Sequence, residues 1–245
     1  MINTYSVKKI HNKAFGKTAK TLVSYWCVAC SIENSPPNYD LWKAVGQLTK
    51  LTELRLDVNV SEIPENVITT ADKSESQIKN LSLNNPKQEM TIKSGAFQNL
   101  HQIERIKIWA KINKIEKGAF KLNKKSDRLL VISFTSDKDF TVDVFEDGIC
   151  DGIQRPVQVY FDVPKLDYLP EGSFKSILEQ NKKNRIEIKR IIRSIFDCSD
   201  CKNYWLIRDG KKDQVTNPEC SFNLSKFLFD DDVVTKLKAK CTKLY

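Results

Sequence analysis

Six apolar positions recur along the chain at nearly constant spacing, and each is the centre of a short pattern typical of a β-strand. They are Leu54, Leu81, Ile106, Ile132, Val159 and Ile186, separated by 27, 25, 26, 27 and 27 residues. A fixed period of this length predicts a repeat architecture in which each repeat supplies one strand. A single repeat cannot bury its apolar face alone, so stacking of neighbours must supply the core.

The sequence around Leu54 reads Leu51-x-x-Leu54-x-Leu56-x-x-Asn59, which is the leucine-rich-repeat pattern. Because side chains alternate along a strand, motif positions 4 and 6 are expected to point inward. These pairs are Leu54/Leu56, Leu81/Leu83, Ile106/Ile108, Ile132/Phe134, Val159/Phe161 and Ile186/Ile188. Leu129 is expected to complete the core one turn earlier, and the Asn59 amide to bond the backbone inside its coil. The predicted fold class is α/β, a solenoid of about seven to eight repeats with a curved parallel sheet and short helices or irregular coil on its convex side.

A second periodic motif is expected on the convex side, where a glycine suits a tight turn and a phenylalanine fills the core. Its clear copies are Gly95-Ala96-Phe97, Gly118-Ala119-Phe120 and Gly172-Ser173-Phe174. Lys13-Ala14-Phe15 and Asp143-Val144-Phe145 resemble weaker copies.

Earlier in the chain, Leu22-x-x-Tyr25-x-Cys27-x-x-Cys30 fits the strand template. Counting back from Phe15 places another strand centre at Met1, so we expect the sequence to begin inside a repeat. Met1–Tyr5 also lacks the apolar segment of a signal peptide. The sequence therefore predicts a fragment that lacks an amino-terminal cap and a signal peptide. Two domains are predicted, a solenoid over 1–196 and a cysteine-rich cap over 197–245.

Four of the seven cysteines follow the last repeat as Cys198-x2-Cys201-x18-Cys220-x20-Cys241. Four cysteines allow three disulfide connectivities, and a four-thiolate zinc site is the alternative. The arrangement resembles the cysteine-rich carboxy-terminal flanking domain of extracellular leucine-rich-repeat proteins. That resemblance implies the pairs Cys198–Cys220 and Cys201–Cys241.

The remaining cysteines are Cys27, Cys30 and Cys150. Cys27 falls at inward position 6 and Cys30 at the asparagine position, where cysteine is a common substitute. We therefore expect both to be buried core thiols; a local bridge or a redox-active pair is the alternative. Cys150 is left over, and the alternatives are a free thiol, a bond to the missing amino-terminal cap and a bond to a partner protein.

The Gly-Ala-Phe motifs and the segment Cys198-Ser-Asp-Cys201-Lys-Asn-Tyr-Trp205-Leu resemble a group of secreted arthropod leucine-rich-repeat proteins. The group includes the non-catalytic subunit of the Oplophorus luciferin monooxygenase. The resemblance implies a non-catalytic protein, and for the luciferase it implies a stabilising companion of the enzyme.

The disulfide cap predicts an extracellular, secreted protein, because disulfides persist in oxidising compartments. Sequons at Asn80 and Asn223 are candidate glycosylation sites. The sequence contains no apolar run long enough to predict a membrane span.

The formal net charge of +9 suggests an acidic partner. The outward strand positions are nearly neutral, so the excess falls toward the carboxy-terminal end. The residues concerned are Lys182, Lys183, Arg190, Arg193, Lys211, Lys212, Lys236, Lys238, Lys240 and Lys243. This basic end is either a solvated surface or a site for an anionic glycan. A nucleic-acid partner is not predicted, because no aromatic side chains alternate with the lysines.

Four outward residues form the candidate partner-binding cluster, since Trp, Tyr and Arg dominate interface hot spots. They are Arg105, Lys107, Trp109 and Tyr160. No catalytic motif is present, and Asp230-Asp231-Asp232 lacks the pattern of a calcium loop. The sequence predicts no enzyme, cofactor or metal site. It favours a protein-binding module, with an accessory subunit of a secreted enzyme and a microbial-glycan receptor as alternatives.

Overall fold

The computed structural model describes residues 1–70, 75–136, 140–163, 166–188, 196–220 and 223–242. The strands in these segments are β1 (Ile2–Tyr5), β2 (Ser24–Ile32), β3 (Glu53–Val58), β4 (Glu62–Ile63), β5 (Asn80–Ile92), β6 (Arg105–Ile115), β7 (Leu130–Thr135), β8 (Val157–Asp162), β9 (Arg185–Ile188), β10 (Val215–Thr216), β11 (Glu219–Cys220) and β12 (Asn223–Phe227). The α-helices are α1 (Leu41–Gly46), α2 (Glu171–Gln180), α3 (Tyr204–Arg208) and α4 (Asp231–Cys241).

One parallel sheet organises the described chain, which confirms the α/β class. Nine strands pair in the order β1-β2-β3-β5-β6-β7-β8-β9-β10, and β4 also pairs with β5. All described pairs of this sheet are parallel, whereas β11 and β12 form a separate antiparallel pair. Apart from the short β4, strands that follow one another in the sequence are neighbours in this sheet, so each connection returns the chain to begin a new parallel strand.

The pairing register places the predicted strand centres opposite one another. Leu54 pairs with Leu81, which pairs with Ile106, and the line continues to Ile186. The inward pairs are at most 2% exposed, as predicted. In the other direction Tyr25 pairs with Leu54 and Ile2 with Tyr25, so the first centre is one residue later than Met1.

Leu129 does not contribute to this core. Its side chain is 43% exposed, whereas that of Leu130 is fully buried. The expectation for Leu129 was wrong because β7 begins at Leu130, whose backbone N–H bonds Pro156.

A second line of backbone hydrogen bonds runs through the glycine turns. The N–H of Gly95 donates to the C=O of Gly118, Gly118 donates to Gly148, and Gly148 donates to Gly172, at 2.9–3.0 Å. Gly95, Gly118 and Gly148 have φ values of 64°, 67° and 73°, which a residue with a Cβ adopts only at a cost. We call this line the glycine ladder.

The residue two places after each of these glycines packs into the core. It is Phe97, Phe120 or Phe174 in three turns, each fully buried as predicted, and Cys150 in the turn of Gly148. Cys150 is a free, buried thiol in a phenylalanine position. The proposed copy at Phe145 was therefore out of phase. Phe145 instead packs edge-on against Phe134 and Phe174, with ring centroids 5.4 and 5.2 Å apart.

Two disulfides close the carboxy-terminal region. Cys198 is bonded to Cys220 and Cys201 to Cys241, the pairs that the resemblance implies. These sulfurs are therefore not zinc thiolates. Trp205 is 1% exposed and its indole N–H donates to the carbonyl of Leu169 at 2.9 Å, which connects α3 to the segment before α2.

Cys27 and Cys30 are also disulfide-bonded, so the expectation of two core thiols was wrong. In a regular strand their Cα atoms would be about 10 Å apart. Ala29 has a φ of 55°, and the pairing of β2 with β3 shifts register between Cys27 and Ile32. This bend brings the two Cα atoms to 5.7 Å, within bonding range.

Candidate functional site

The parallel register arranges the outward side chains of the sheet in three rows, because each residue lies beside its pairing partner. The first row is Ser24, Glu53, Asn80, Arg105, Val131, Gln158 and Arg185; the second is Trp26, Arg55, Ser82, Lys107, Ser133, Tyr160 and Glu187; the third is Asp57, Asn84, Trp109, Thr135 and Asp162. We call this surface the outward face. Lys189, the next alternate residue after Glu187, lies outside the described residues.

A cleft of about 330 Å³ opens on the outward face over β3, β5 and β6. Its floor is β5, with the small polar side chains of Asn80, Ser82 and Asn84. Arg55 of β3 lines one side, and the side chains of β6 line the other. This surface is the candidate functional site.

The structure brings together three of the four predicted contact residues. Arg105, Lys107 and Trp109 are alternate residues of β6 and line the cleft. Tyr160 lies in the row of Lys107 but two strands farther along, about 10 Å away, and does not line the cleft.

Two cleft residues, Trp26 and Arg55, were not among the predicted contacts. Trp26 occupies the outward position between Tyr25 and Cys27, so the repeat that begins at Leu22 already carried the signal. Extending the outward rows by this one repeat would have identified it. The indole N–H of Trp26 is buried and has no hydrogen-bond acceptor among the described residues.

Three cations in the cleft are exposed and have no ion-pair partner in the described part of the chain: Arg55, Arg105 and Lys107. The nearby carboxylates already have partners. Glu53 accepts a hydrogen bond from the Ser24 hydroxyl at 3.3 Å, and Asp57 accepts one from the Asn84 amide at 3.0 Å. The cleft therefore presents three positive charges against the single carboxylate of Glu53 that lines it.

The outward face beyond the cleft has a different charge. Burial, and then the negative charge of Glu187, raise the pKa of the Tyr160 phenol. Two carboxylates therefore lie near Tyr160: Glu187 is its pairing partner on β9, and Asp162 is on the same strand. The positive charge of the face is concentrated over β3–β6.

The basic carboxy-terminal end is less continuous than the sequence suggested. Lys211 is only 8% exposed, so it does not belong to an accessible patch. Lys236 and Lys240 share one face of α4, but Lys238, midway between them in sequence, points elsewhere. Arg190, Arg193 and Lys243 lie outside the described residues, whereas Lys182, Lys183 and Lys212 are exposed.

The sequons occupy different settings. Asn80 is exposed on the floor of the cleft, between Glu53 and Arg105 in its row. Asn223 is the first residue of β12. Asn59 is half-buried, and its amide makes no side-chain hydrogen bond within the described residues. The nearby Asn85 does bond buried backbone, because its Nδ2 donates to the Val60 carbonyl at 2.7 Å.

Other candidate chemistry is sparse in the described segments. They contain no group of three or more His, Cys, Asp or Glu side chains that could hold a metal. Asp231 and Asp232 form the first turn of α4, where the helix dipole favours negative charge. Of the helices in these segments, none has the length and apolar character needed to cross a bilayer.

The sequence matches no protein-family model and no curated protein.

Proposed function

We propose that the chain is a non-catalytic, extracellular leucine-rich-repeat module that binds a protein partner on the outward, concave face of its sheet. The constant strand period and the line of paired strand centres support the repeat assignment. Three disulfides support an oxidising compartment.

One observation carries the binding assignment. Two tryptophans project from one sheet face into a shared cleft, together with three cations that have no ion-pair partner among the described residues. Trp and Arg are the residues most enriched at binding hot spots, and exposed cations without partners contribute little to folding. A parallel sheet also holds such side chains in fixed relative positions.

The test is capture of a partner from extracellular fluid of the producing organism by the immobilised protein. We expect Arg105→Ala/Trp109→Ala/Tyr160→Ala to abolish capture while keeping the melting temperature. The matched control is Tyr39→Ala/Arg128→Ala, which removes an exposed tyrosine and an exposed arginine away from the outward face. Unchanged capture by the folded triple variant would contradict the proposal.

Crosslinking of the captured complex, read by mass spectrometry, locates the contact. Crosslinks at Lys107 support docking on the outward face; crosslinks confined to Lys236 and Lys240 contradict it. Recovery of a secreted enzyme at one-to-one stoichiometry would identify the partner as the enzyme of the accessory-subunit alternative.

A further inference from the structure

The cleft has the form of a channel that runs parallel to its strands. The floor side chains of β5 are short and polar, and the longer side chains of Arg55 and Lys107 stand on either side of Ser82. These flanking residues are two strand spacings apart, about 10 Å. That width accommodates one extended peptide with its side chains.

The spacing of the cations fits an extended acidic chain. Arg105 and Lys107 are two residues apart on β6, and therefore about 7 Å apart along the strand. Carboxylates on alternate residues of an extended peptide have the same spacing. The Asn80 amide and the Ser82 hydroxyl on the floor supply hydrogen-bond groups for the peptide backbone.

The positions of the two tryptophans further restrict the class of ligand that the cleft can bind. Trp26 and Trp109 lie on β2 and β6, three strand spacings or about 14 Å apart across the sheet, and two residues or about 7 Å apart along it. This separation is too wide for both rings to stack on one sugar. They are instead positioned to cover apolar side chains at the two margins of a peptide. Charge and dimensions together favour a peptide over a sulfated carbohydrate.

We propose that this cleft binds an extended acidic segment of the partner protein, with its carboxylates on Arg55, Arg105 and Lys107. This inference rests on the proposed function and specifies the chemistry of the partner. None of these three cations has an ion-pair partner in the segments that the structure describes, so no ion pair seen there must break before they form charge-assisted hydrogen bonds to carboxylates.

The direct test is fluorescence anisotropy with a labelled peptide of four Asp-Thr units. The comparison probe is the same peptide with Asn in place of Asp, and a heparin hexasaccharide serves as the carbohydrate probe. We expect the Asp peptide to bind, the Asn peptide to bind at least about tenfold more weakly, and affinity to fall as salt increases.

Variants locate the binding. Arg55→Gln/Lys107→Gln removes two charges from exposed side chains, and we expect it to weaken Asp-peptide binding about tenfold with an unchanged melting temperature. Lys182→Gln/Lys183→Gln removes the same charge from another exposed site and is expected to leave binding unchanged. Equal affinity for the Asp and Asn peptides, or equal losses in the two double variants, would overturn the proposal.

Two further outcomes separate this proposal from the broader one. If the heparin probe binds more tightly than the Asp peptide and loses affinity in Arg55→Gln/Lys107→Gln, the cleft is a glycan site and the acidic-peptide proposal is wrong. If the charge variant still captures the protein partner but the Arg105, Trp109 and Tyr160 variant does not, partner docking stands while its acidic chemistry fails.

Discussion

The carboxylate of Asp57 accepts a hydrogen bond from the backbone amide of Ala29, the residue that bends the chain between the bonded Cys27 and Cys30. The other carboxylate oxygen accepts a hydrogen bond from Asn84 on the cleft floor. Asp57 is only 8% exposed. A single buried carboxylate therefore connects the disulfide loop of β2 to the candidate site.

Replacement of Asp57 by alanine is expected to lower the free energy of unfolding by about 1–3 kcal/mol, because the Ala29 and Asn84 donors lose their acceptor. Urea unfolding measures the effect. Asp162→Ala, in the same row on β8, is the matched control and should change stability by less than about 0.5 kcal/mol. Equal losses in the two variants would show that Asp57 has no special structural role.

The thiol count distinguishes the observed cysteine pairing from the pairing expected from sequence. Six of the seven cysteines are in disulfides, and Cys150 is buried. Burial, with a smaller effect of the Asp151 charge, raises the pKa of the Cys150 thiol, so its thiolate population is very small at neutral pH. We expect no rapid labelling of the native protein by a thiol reagent, and one thiol after denaturation without reductant. Three thiols under the second condition would mean that Cys27 and Cys30 are unpaired.

A buried arginine connects the three segments that precede β6, β7 and β8. Arg155 is 5% exposed, and its guanidinium donates to the carbonyls of Ile103, Arg128 and Leu129 at 2.7, 2.6 and 3.4 Å. Arg155→Met leaves these carbonyls without their donor, and we expect a loss of about 3 kcal/mol in chemical denaturation. Arg128→Met removes only an exposed ion pair with Glu104 and should cost less than about 1 kcal/mol. The reverse ranking would refute the role of Arg155.

The contact between α2 and α3 predicts acid sensitivity. A bidentate hydrogen bond from Arg208, with Lys175 assisting, lowers the pKa of Asp209 from 3.8 to about 2 although burial opposes the shift. A folded-state pKa below the unfolded value stabilises the protein above pH 4, and this contribution is lost as the pH falls from about 4 to 2. Asp209→Asn should therefore flatten the decline of stability in that window. Asp213→Asn, an exposed carboxylate nearby in sequence, should reproduce the wild-type decline.

Glycosylation of Asn80 is expected to block peptide binding in the cleft. An N-linked glycan on this floor residue would project between Glu53 and Arg105 and exclude a peptide. In protein made through a secretory pathway, we expect the fraction glycosylated at Asn80 to lose acidic-peptide binding and Asn80→Gln to retain it. Asn223→Gln is the control and should leave both fractions unchanged. Peptide binding by the Asn80-glycosylated fraction would contradict this prediction.

Strand register was predictable from sequence because the same alternation that marks a strand also determines which face each residue occupies. The disulfide at Cys27 was not predictable by that rule, since it depends on a left-handed Ala29, and alanine gives no signal for such a bend. The position of Cys150 in the series of buried phenylalanines was also not predictable from the sequence. Its equivalence to Phe120 follows from the bond between the Gly118 and Gly148 turns, not from the count of residues between them.

Some features of the candidate site were likewise predictable from the sequence, and others were not. Arg105, Lys107 and Trp109 were identifiable because alternate residues of one strand necessarily share a face. The two-strand separation of Tyr160 from Lys107 follows from the repeat period, but the opening of the cleft toward β3 instead of toward Tyr160 does not. Which cations lack a partner is likewise a property of the folded surface.

The glycine ladder and the strand centres are two lines of paired backbone, and the number of residues between them varies from one repeat to the next. From Leu81, Ile106, Ile132 and Val159 to the next glycine of the ladder there are 14, 12, 16 and 13 residues. Because both lines are fixed by backbone bonds, the segment between them can gain or lose residues without moving either one. Residues can therefore be inserted between a strand and its glycine turn while the outward face keeps a constant strand spacing. New loops can arise in evolution in this way without disturbing an established contact surface.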